Sequence, residues 1–413
     1  MTSTPVRIGL ALVACAALVL PFSTACSKSE QSGGGNGQSP PKMEPLSAVG
    51  NGEGQLNLIA WPGYAENGSN DPKVDWVTPF EQQTGCKVNV KIGNTSDEML
   101  QLMRTGQYDG VSASGDATLR LIYAGDVAPV NTSLVPNYAT ISPFLKDKSW
   151  NSVDGQMYGI PHGWGANLLM YNTQVVQDAP DSWAAVFDDA GKYKGKVTAY
   201  DNPIYIADAA LYLSKSKPEL GIKDPYSLTS EQLDAAVELL KAQRENVSEY
   251  WSDYTKEVQA FESGTSVIGT TWQVIANTIG ADNKVQINAV IPKEGATGWS
   301  DTWMLSSKAA HPNCMYKWMN FITSPMANAE VAQYFGEAPA QSKSCDPSTL
   351  TAAAKADDLP ADPRFCDEYR AADSNFWKRV YYWQVPLADC GDNRGNTCKD
   401  YNDWSAAWTQ IKG

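Results

Sequence analysis

Two histidines and eight cysteines are the residues of this 413-residue chain that most often carry acid–base, nucleophilic or zinc chemistry. A Ser/His/Asp triad would have to use His162 or His311, and His311 stands in the loop-like sequence AAHPN. The sequence contains no GxSxG, HExxH or Walker motif. Its glycine run at 33–37 lies in a low-complexity segment, not between a strand and a helix. We therefore predict no catalytic centre and no cofactor.

Carboxylates and aromatic rings are the other side chains available for chemistry. The chain has 46 Asp and Glu against 32 Lys and Arg, with 14 Trp and 19 Tyr, and its formal net charge is −14. This balance argues against a nucleic-acid partner and permits a cationic ligand. An alkylammonium ion needs a carboxylate, aromatic faces and hydrogen-bond acceptors. Tryptophan-rich clefts also bind sugars, so counting alone leaves a carboxylate pair of the glycosidase kind open.

Six of the cysteines lie in the body of the chain, which indicates three disulfides in an exported protein. Cys390 and Cys398 flank the glycine-rich GDNRGNT and are the most readily closed pair. Cys345 with Cys366 and Cys86 with Cys314 would follow, although six cysteines allow fifteen pairings. A zinc site is a poor alternative because there is no CxxC and there are only two histidines.

The amino terminus has the pattern of an export signal. Arg7 precedes an apolar run from Ile8 to Phe22, and small residues lead to Cys26. We predict a lipoprotein signal peptide over residues 1–25 with Cys26 as the lipid anchor. Ser23 is an imperfect match, and an ordinary secretory signal is the alternative. Residues 26–54, with SKSEQSGGGNGQSPPK, have the composition of a flexible tether.

The remaining residues alternate strand-like and helix-like patterns, which predicts an α/β fold. Gln55–Ala60 and the alternating Cys86–Ile92 are typical of strands. Asp71–Gln83 has a helical apolar face, and Thr229 with Gln232 forms a capping box before another helix. About 360 residues exceed the usual size of one core, so two lobes are expected.

Seven motifs in order resemble the periplasmic spermidine/putrescine-binding proteins of ABC importers. The most specific is YGIPHGWGANLLMYN (158–172), which is similar to that family's hinge strand. The others are LIAWPGYAE (58–66), DGVSASGD (109–116), GTTW (269–272), PKEG (292–295), GWSDTW (298–303) and FGEAPA (335–340). The likeness covers about residues 56–341 and fades beyond Cys345.

This resemblance implies a two-lobed periplasmic-binding-protein fold of type II, with crossing hinge strands near Trp164–Leu168 and Trp299–Trp303. Lobe one would comprise residues 55–167 and 301–345, and lobe two residues 168–300 and 346–413. The lobes would close on a ligand held between them, because a ligand that touches both favours the closed state.

The resemblance also implies the site residues. Asp301 would hold an amine, with Trp61 and Tyr64 from lobe one and Trp272 and Trp299 from lobe two and the hinge. Core packing is the alternative for each aromatic residue and a hinge salt bridge for Asp301. Ser114 matches a ligand-contacting serine, although a helix N-cap explains it equally well.

Departures from the family pattern concern the other carboxylates. Asp116 stands where the family often has an aromatic residue, and Glu337 aligns with a tyrosine of the late loop. Asn202 and Tyr205 occupy the positions of an acidic pair that holds the far amine of spermidine. These differences weaken the case for spermidine and leave putrescine, agmatine, a monoamine or another small cation.

We therefore expect a monomeric, non-enzymatic, extracytoplasmic binding protein that is held at the membrane by its lipid and passes a small cationic amine to an ABC importer permease. No metal site is predicted. The alternatives are a binding protein for a ferric ion, an anion or a sugar, and a secreted carbohydrate-active enzyme. Ferric-binding relatives of similar architecture use paired tyrosines, and the adjacent Tyr381 and Tyr382 lie in the unmatched tail.

Overall fold

The computed structural model describes residues 39–281 and 284–413. The expected signal peptide over residues 1–25 and the expected lipid anchor Cys26 lie outside the described residues. Within the described ranges, no helix is both long enough and apolar enough to cross a bilayer.

Residues 39–54, which were expected to belong to a flexible tether, contact the body. The Leu46 carbonyl accepts a hydrogen bond from Asn131 Nδ2 at 3.2 Å, and the Gly50 amide donates to Asn313 Oδ1 at 2.7 Å. Glu53 accepts bonds from the amide of Asn313 at 3.0 Å. The predicted tether to residue 54 is therefore too long. The conformational entropy lost when residues 39–54 become ordered is offset by these polar contacts and by the packing of Leu46 on the core.

The strands of the described residues are β1 (Gln55–Ala60), β2 (Lys87–Ile92), β3 (Gly110–Ala113), β4 (Val127–Ala128), β5 (Ser152–Val153), β6 (Gln156–Met157), β7 (Ile160–Asn172), β8 (Val197–Tyr200), β9 (Val247–Trp251), β10 (Ile268–Trp272), β11 (Ile287–Val290), β12 (Ala296–Ser306), β13 (Ala338–Pro339) and β14 (Val380–Tyr382).

The α-helices of the described residues are α1 (Val77–Thr84), α2 (Ser96–Arg104), α3 (Gly115–Ala124), α4 (Ile206–Ser216), α5 (Ser230–Arg244), α6 (Tyr254–Glu262), α7 (Gln273–Ala281), α8 (Pro312–Ile322), α9 (Pro325–Phe335), α10 (Pro347–Ala356), α11 (Phe365–Glu368), α12 (Ser374–Trp377) and α13 (Tyr401–Lys412).

One large mixed sheet runs in the order β2-β1-β3-β12-β7-β10-β8-β9. In its first half, β1 is parallel to β2 and β3. In its second half, β8 is parallel to β10 and β9. The parallel strands of each half therefore end at a common edge, the edge at which open α/β sheets bind ligands.

Two long central strands connect the halves. Strand β7 pairs with β12 through residues 160–166 and with β10 through residues 167–171. Strand β12 pairs with β7 through residues 298–303 and with β3 through residues 302–305. These are the two crossing strands that the motif order predicts, and every residue of β12 is buried. The fold is the two-lobed α/β fold of periplasmic binding proteins.

Local sequence signals explain much of this layout. Thr229 and Gln232 form the expected capping box at the start of α5. The helix expected over Asp71–Gln83 begins later, at Val77 in α1. Its first residues instead form a turn closed by a bridge between Asn67 and Asp75, a short-range pairing that helical periodicity does not reveal.

Three disulfides join the six body cysteines. They connect Cys86 to Cys314, Cys345 to Cys366 and Cys390 to Cys398. These are the three pairs that the sequence favours among fifteen pairings. The first holds the end of α1 to α8 across 228 residues of sequence, whereas the last closes an eight-residue separation in the tail.

The tail over residues 346–413, which was expected to belong to lobe two, contacts both halves of the molecule. Trp404 and Trp408 pack in the core that contains β8 and β10. Tyr401 packs in the core of β1, β3 and α3, and Arg120 of α3 lies 4.2 Å from its ring centroid. The tail therefore crosses from one half to the other.

Candidate functional site

Most of the candidate side chains lie where parallel strands end. Trp61 and Tyr64 follow β1, Ser114 follows β3, and Trp272 is the last residue of β10. The carboxyl ends of β1 and β3 belong to the first half of the sheet, and that of β10 belongs to the second. The fold thereby brings residues from both halves to one place, as the ligand rule for open α/β sheets predicts.

A cavity of about 30 Å³ lies at this place. Six of the ten residues that the resemblance implied for ligand binding line it, namely Trp61, Tyr64, Ser114, Trp272, Trp299 and Asp301. Their exposure is low: Asp301 is 3 % exposed and Trp299 is 5 % exposed. The structure thus assembles the carboxylate, the aromatic faces and the hydroxyl groups that an ammonium ion requires.

Three further aromatic residues line the cavity and were not foreseen. Tyr200 is the last residue of β8, Phe335 is the last residue of α9, and Trp383 follows β14 in the tail. The rings of Tyr200 and Trp383 are stacked with an interplanar angle of 11° and a centroid distance of 5.4 Å. A tyrosine at the end of a parallel strand is a signal that sequence could have supplied for Tyr200.

Trp383 reaches the cavity through a long-range pairing. Strand β14 runs parallel to the start of β12, and the Trp383 amide then donates to the Gly298 carbonyl at 2.6 Å. On the opposite side, a Cβ on Gly115 would overlap the Trp383 carbonyl. Gly115 of the motif DGVSASGD therefore allows the backbone of the tail to pack directly against the start of α3.

Asp301 is held by neutral hydroxyl groups. Ser114 Oγ donates to Asp301 Oδ1 at 2.5 Å, and Tyr64 Oη lies 2.7 Å from Asp301 Oδ2. The Ser114 side chain makes no cap hydrogen bond to α3, so the helix-cap alternative for this residue is not the one observed. The salt-bridge alternative for Asp301 is not observed either, because no described ion pair involves it.

Tyr64 also connects Asp301 to Glu337, which does not line the cavity. Tyr64 Oη lies 2.8 Å from Glu337 Oε2, and the single hydroxyl proton can serve only one of the two carboxyl groups. Glu337 Oε1 lies 3.6 Å from Nδ1 of the buried His162, whose Nε2 lies 2.8 Å from Ser112 Oγ. A buried chain of titratable groups therefore extends from Asp301 into the core.

Two glycines of the hinge strand β7 make this arrangement possible. A Cβ on Gly163 would overlap the Glu337 carboxyl group, and a Cβ on Gly165 would overlap the indole ring of Trp299. Only glycine lets these side chains lie directly against the strand. The HGWG part of the hinge motif thus positions both Glu337 and Trp299.

Burial raises the pKa of Asp301 to about 6, although His162 and the hydrogen bonds from Ser114 and Tyr64 oppose this shift. Burial and the neighbouring carboxyl groups of Asp301 and Glu337 raise the pKa of Tyr64 well above its ordinary value. Tyr64 therefore stays a neutral donor, while Asp301, with a pKa of about 6, is ionised at neutral pH and pairs with no Lys or Arg side chain among the described residues.

Asp116 and Asn202 contact each other outside the cavity. Asp116 Oδ1 accepts from Ser96 Oγ at 2.9 Å, and Asn202 Nδ2 lies 3.5 Å from Asp116 Oδ2. The Asn202 Oδ1 atom accepts from the Ile204 amide at 2.9 Å. Asp116 follows β3 and Asn202 follows β8, so their contact joins the two halves of the sheet beside the cavity. Burial raises the pKa of Asp116 to about 6.

Tyr205 is not brought to the cavity. It is 1 % exposed, its hydroxyl accepts from Gln243 Nε2 at 3.0 Å, and its ring lies edge-on to Trp408. The resemblance placed Tyr205 at a ligand-binding position, but in the structure this residue packs in the core of the second half. The strand end itself, Tyr200, is the residue that reaches the site.

The tyrosine pair of the ferric alternative lies elsewhere in the tail. Tyr382 stacks on Trp150, and the Tyr381 carbonyl accepts from Tyr226 Oη at 2.8 Å. No group of three or more His, Cys, Asp or Glu side chains suited to a metal ion occurs in the described residues.

Comparison with known proteins shows that this chain is similar to solute-binding proteins in sequence and in fold. A putrescine/cadaverine-binding protein of Pseudomonas aeruginosa is 24 % identical over 305 residues, which cover 68 % of this chain and 78 % of that protein. The spermidine/putrescine ABC transporter substrate-binding protein PotD of Streptococcus pneumoniae superposes with a TM-score of 0.63 at 19 % identity, covering 86 % of this chain and 97 % of that one. The Tp0655 (TpPotD) lipoprotein of Treponema pallidum superposes with a TM-score of 0.61 at 18 % identity, covering 87 % and 99 %.

The family profile described as bacterial extracellular solute-binding protein matches residues 75–360. This range includes most of both sheet halves and six of the nine residues that line the cavity. This match agrees with the solute-binding role expected from the motifs. The chain belongs to the family of bacterial extracellular solute-binding proteins.

Proposed function

We propose that this protein captures a polyamine or a related small cationic amine in the cavity around Asp301 and passes it to an ABC importer permease. The observation that carries the proposal is a buried carboxylate that faces an aromatic cavity and forms no ion pair with a Lys or Arg side chain among the described residues. A buried anion is costly unless a cation compensates it. A bound ammonium ion supplies that charge.

Other buried carboxyl groups of the protein differ from Asp301 in their surroundings. Asp208 accepts from Thr297 Oγ1 at 2.9 Å, and burial raises its pKa to about 7. Glu257 lies near the hydroxyl groups of Thr198 and Thr271, and burial raises its pKa well above its ordinary value. Neither lines the cavity. Asp301 is thus the acidic residue placed to meet a ligand.

The proposal includes lobe motion. Lobe one would comprise residues 55–167 and 301–345, and lobe two residues 168–300, with the tail contacting both. The cavity takes residues from both halves, so a ligand within it stabilises the closed arrangement by contacts that an open one lacks. The permease would then recognise the closed arrangement.

The proposal also includes a lipid anchor at Cys26 and a monomeric state. The charged start, the short apolar run and the small residues before Cys26 support the anchor. Mass spectrometry of the protein from cell membranes should find diacylglycerol on the amino-terminal cysteine, and Cys26→Ser should release the protein into the soluble fraction. Light scattering of the released protein should give the mass of one chain.

A thermal-shift panel tests the ligand class. The full chain is heated with cationic amines, uncharged sugars, amino acids, small anions and ferric ion, each at a series of concentrations. A ligand at 100 times its dissociation constant stabilises the folded protein by about 2.7 kcal/mol. We expect stabilisation by cationic amines alone. Stabilisation by a sugar, an anion or ferric ion without any amine effect would contradict the proposal and leave the solute-binding assignment intact.

A further inference from the structure

The walls of the cavity are aromatic on nearly every side. Of the nine lining residues among those described, seven are aromatic. Trp272 meets Tyr200 at 59° and Trp299 at 65°, with centroid distances of 5.5 and 6.3 Å. Trp383 inclines to Trp272 at 62°. We call these seven lining rings the aromatic box, and a cation inside it is attracted to each ring face that it meets.

Hydrogen-bond acceptors in this box are few. Asp301 already accepts from Ser114 Oγ and lies 2.7 Å from Tyr64 Oη. The other polar side-chain groups of the lining are the hydroxyl groups of Ser114, Tyr64 and Tyr200 and the indole N–H groups, and an indole N–H cannot accept a hydrogen bond. A primary ammonium has three N–H donors, each of which needs an acceptor once it leaves water. A quaternary ammonium has none, and its methyl groups suit aromatic walls.

A second carboxylate for a second ammonium is missing from the lining. Asp116 is turned to Ser96 and Asn202, and Glu337 lies behind Tyr64. The far end of an extended diamine would therefore meet rings without an anion.

From these observations, and resting on the proposed function, we infer that the site selects an N-methylated monocation over a primary amine or an extended diamine. Asp301 supplies the negative charge, and the rings contributed by Trp272, Trp299 and Trp383 enclose the methyl groups.

Calorimetric titration of the full chain with three probes tests this inference. The probes are N,N,N-trimethylpropylammonium, propylammonium and putrescine, as chloride salts at one ionic strength. The first two differ only in methylation, and putrescine adds a carbon and a second ammonium group. We expect the trimethyl compound to bind at least about tenfold more tightly than either amine.

Each other outcome overturns the inference in a distinguishable way. If putrescine or propylammonium binds as tightly as the trimethyl compound, the selectivity is refuted while the proposed capture of a cationic amine stands. If none of the three probes binds, the inference is refuted, and the thermal-shift panel of cationic amines decides the proposed function separately.

Ring variants give a second, independent measurement. Trp272→Leu and Trp383→Leu should each weaken binding of the trimethyl compound by about tenfold and reduce its advantage over propylammonium. Trp272→Phe keeps an aromatic face and should retain most of that advantage. Trp408→Phe, in the core outside the cavity, is the matched control and should leave the ratio unchanged. Equal loss for all three probes in the leucine variants would show a purely structural role and refute the box.

Discussion

Acidification should weaken binding of the cationic ligand because protonation removes the negative charge of Asp301. The pKa of this buried carboxyl is raised to about 6 in the structure, and a cation beside it favours the ionised form and lowers that pKa. The complex then holds fewer protons than the free protein near and below pH 6. Binding is therefore strongest above pH 6 and is lost as the pH falls through 6.

The size of this effect follows from the pKa. If only the ionised form binds, the observed affinity is divided by one plus the ratio of protonated to ionised Asp301. For a pKa of about 6 this factor is close to 1 at pH 7.5 and about 11 at pH 5, so the affinity should fall by about tenfold. An alkylammonium or quaternary ammonium ligand keeps its charge throughout this range.

The assay is calorimetric titration with the tightest cationic ligand at half-unit steps from pH 5 to 7.5, at constant ionic strength. Tyr64, Ser114, His162 and Glu337 are the groups that face Asp301, so the assay must separate a pH dependence due to Asp301 from one due to a neighbouring group. The variant Asp301→Asn separates these sources, because its residual binding should no longer show the tenfold fall.

Asp116→Asn is the matched control, because Asp116 has a similarly raised pKa of about 6 but lies outside the cavity. It should keep the tenfold dependence. An affinity that stays within twofold from pH 5 to 7.5 would refute the reasoning, and so would a tenfold fall that persists in Asp301→Asn.

Three further predictions concern folding and geometry. In the loop-entropy model, a disulfide stabilises more when it closes a longer loop, and the two bonds span 228 and 8 residues. Cys86→Ser should therefore lower the free energy of unfolding by about 5 kcal/mol and Cys390→Ser by about 2.5 kcal/mol. Denaturant titration measures both losses, and equal losses would contradict the model. Gly165→Ala should displace Trp299 and weaken ligand binding at least about tenfold with the fold retained by circular dichroism; unchanged affinity would contradict the packing. Burial raises the pKa of Asp208 to about 7, so the wild type loses free energy of unfolding as the pH rises and this carboxyl group must ionise inside the core. Asp208→Asn has no such group, and its free energy of unfolding should therefore gain roughly 4 kcal/mol on that of the wild type between pH 4 and pH 8. The same pH dependence in both proteins would refute this account of Asp208.

Sequence patterns were sufficient for the parts of the fold that depend on short-range signals and on ordered motifs. The α/β class follows from periodicity, and the two crossing strands follow from the resemblance carried by the ordered motifs. The disulfide pairs are the ones that the sequence favours, although cysteine placement alone does not exclude the other pairings. The start of α1 was missed because a turn bridging Asn67 and Asp75 replaces the first part of the expected helix. The apolar pattern of Asp71–Gln83 reports burial, and residues of a turn can be buried as well as those of a helix.

Among the residues named from the sequence, those that directly follow a strand of a recognised motif, such as Trp61 and Ser114, line the cavity, and their role in ligand binding stays a prediction. Tyr205 was misplaced because the short 3₁₀ turn after β8 directs its ring into the core, while Tyr200 at the strand end faces the cavity. Trp383 could not be found from local pattern, since its position depends on the pairing of β14 with β12 over some 80 residues. Long-range register of that kind leaves no short-range trace.

The measurement that tests the central claim most directly is calorimetric titration of Asp301→Asn beside wild type with the cationic ligand that binds wild type most tightly. The substitution keeps the size of the side chain and removes its charge, and leaving a buried ammonium without its anion should cost roughly 3–5 kcal/mol, or a few hundred-fold or more in affinity. Asp208→Asn, a buried carboxyl outside the cavity, should bind within about twofold of wild type. The account predicts that large, selective loss at Asp301; equal affinity of Asp301→Asn and wild type would contradict it.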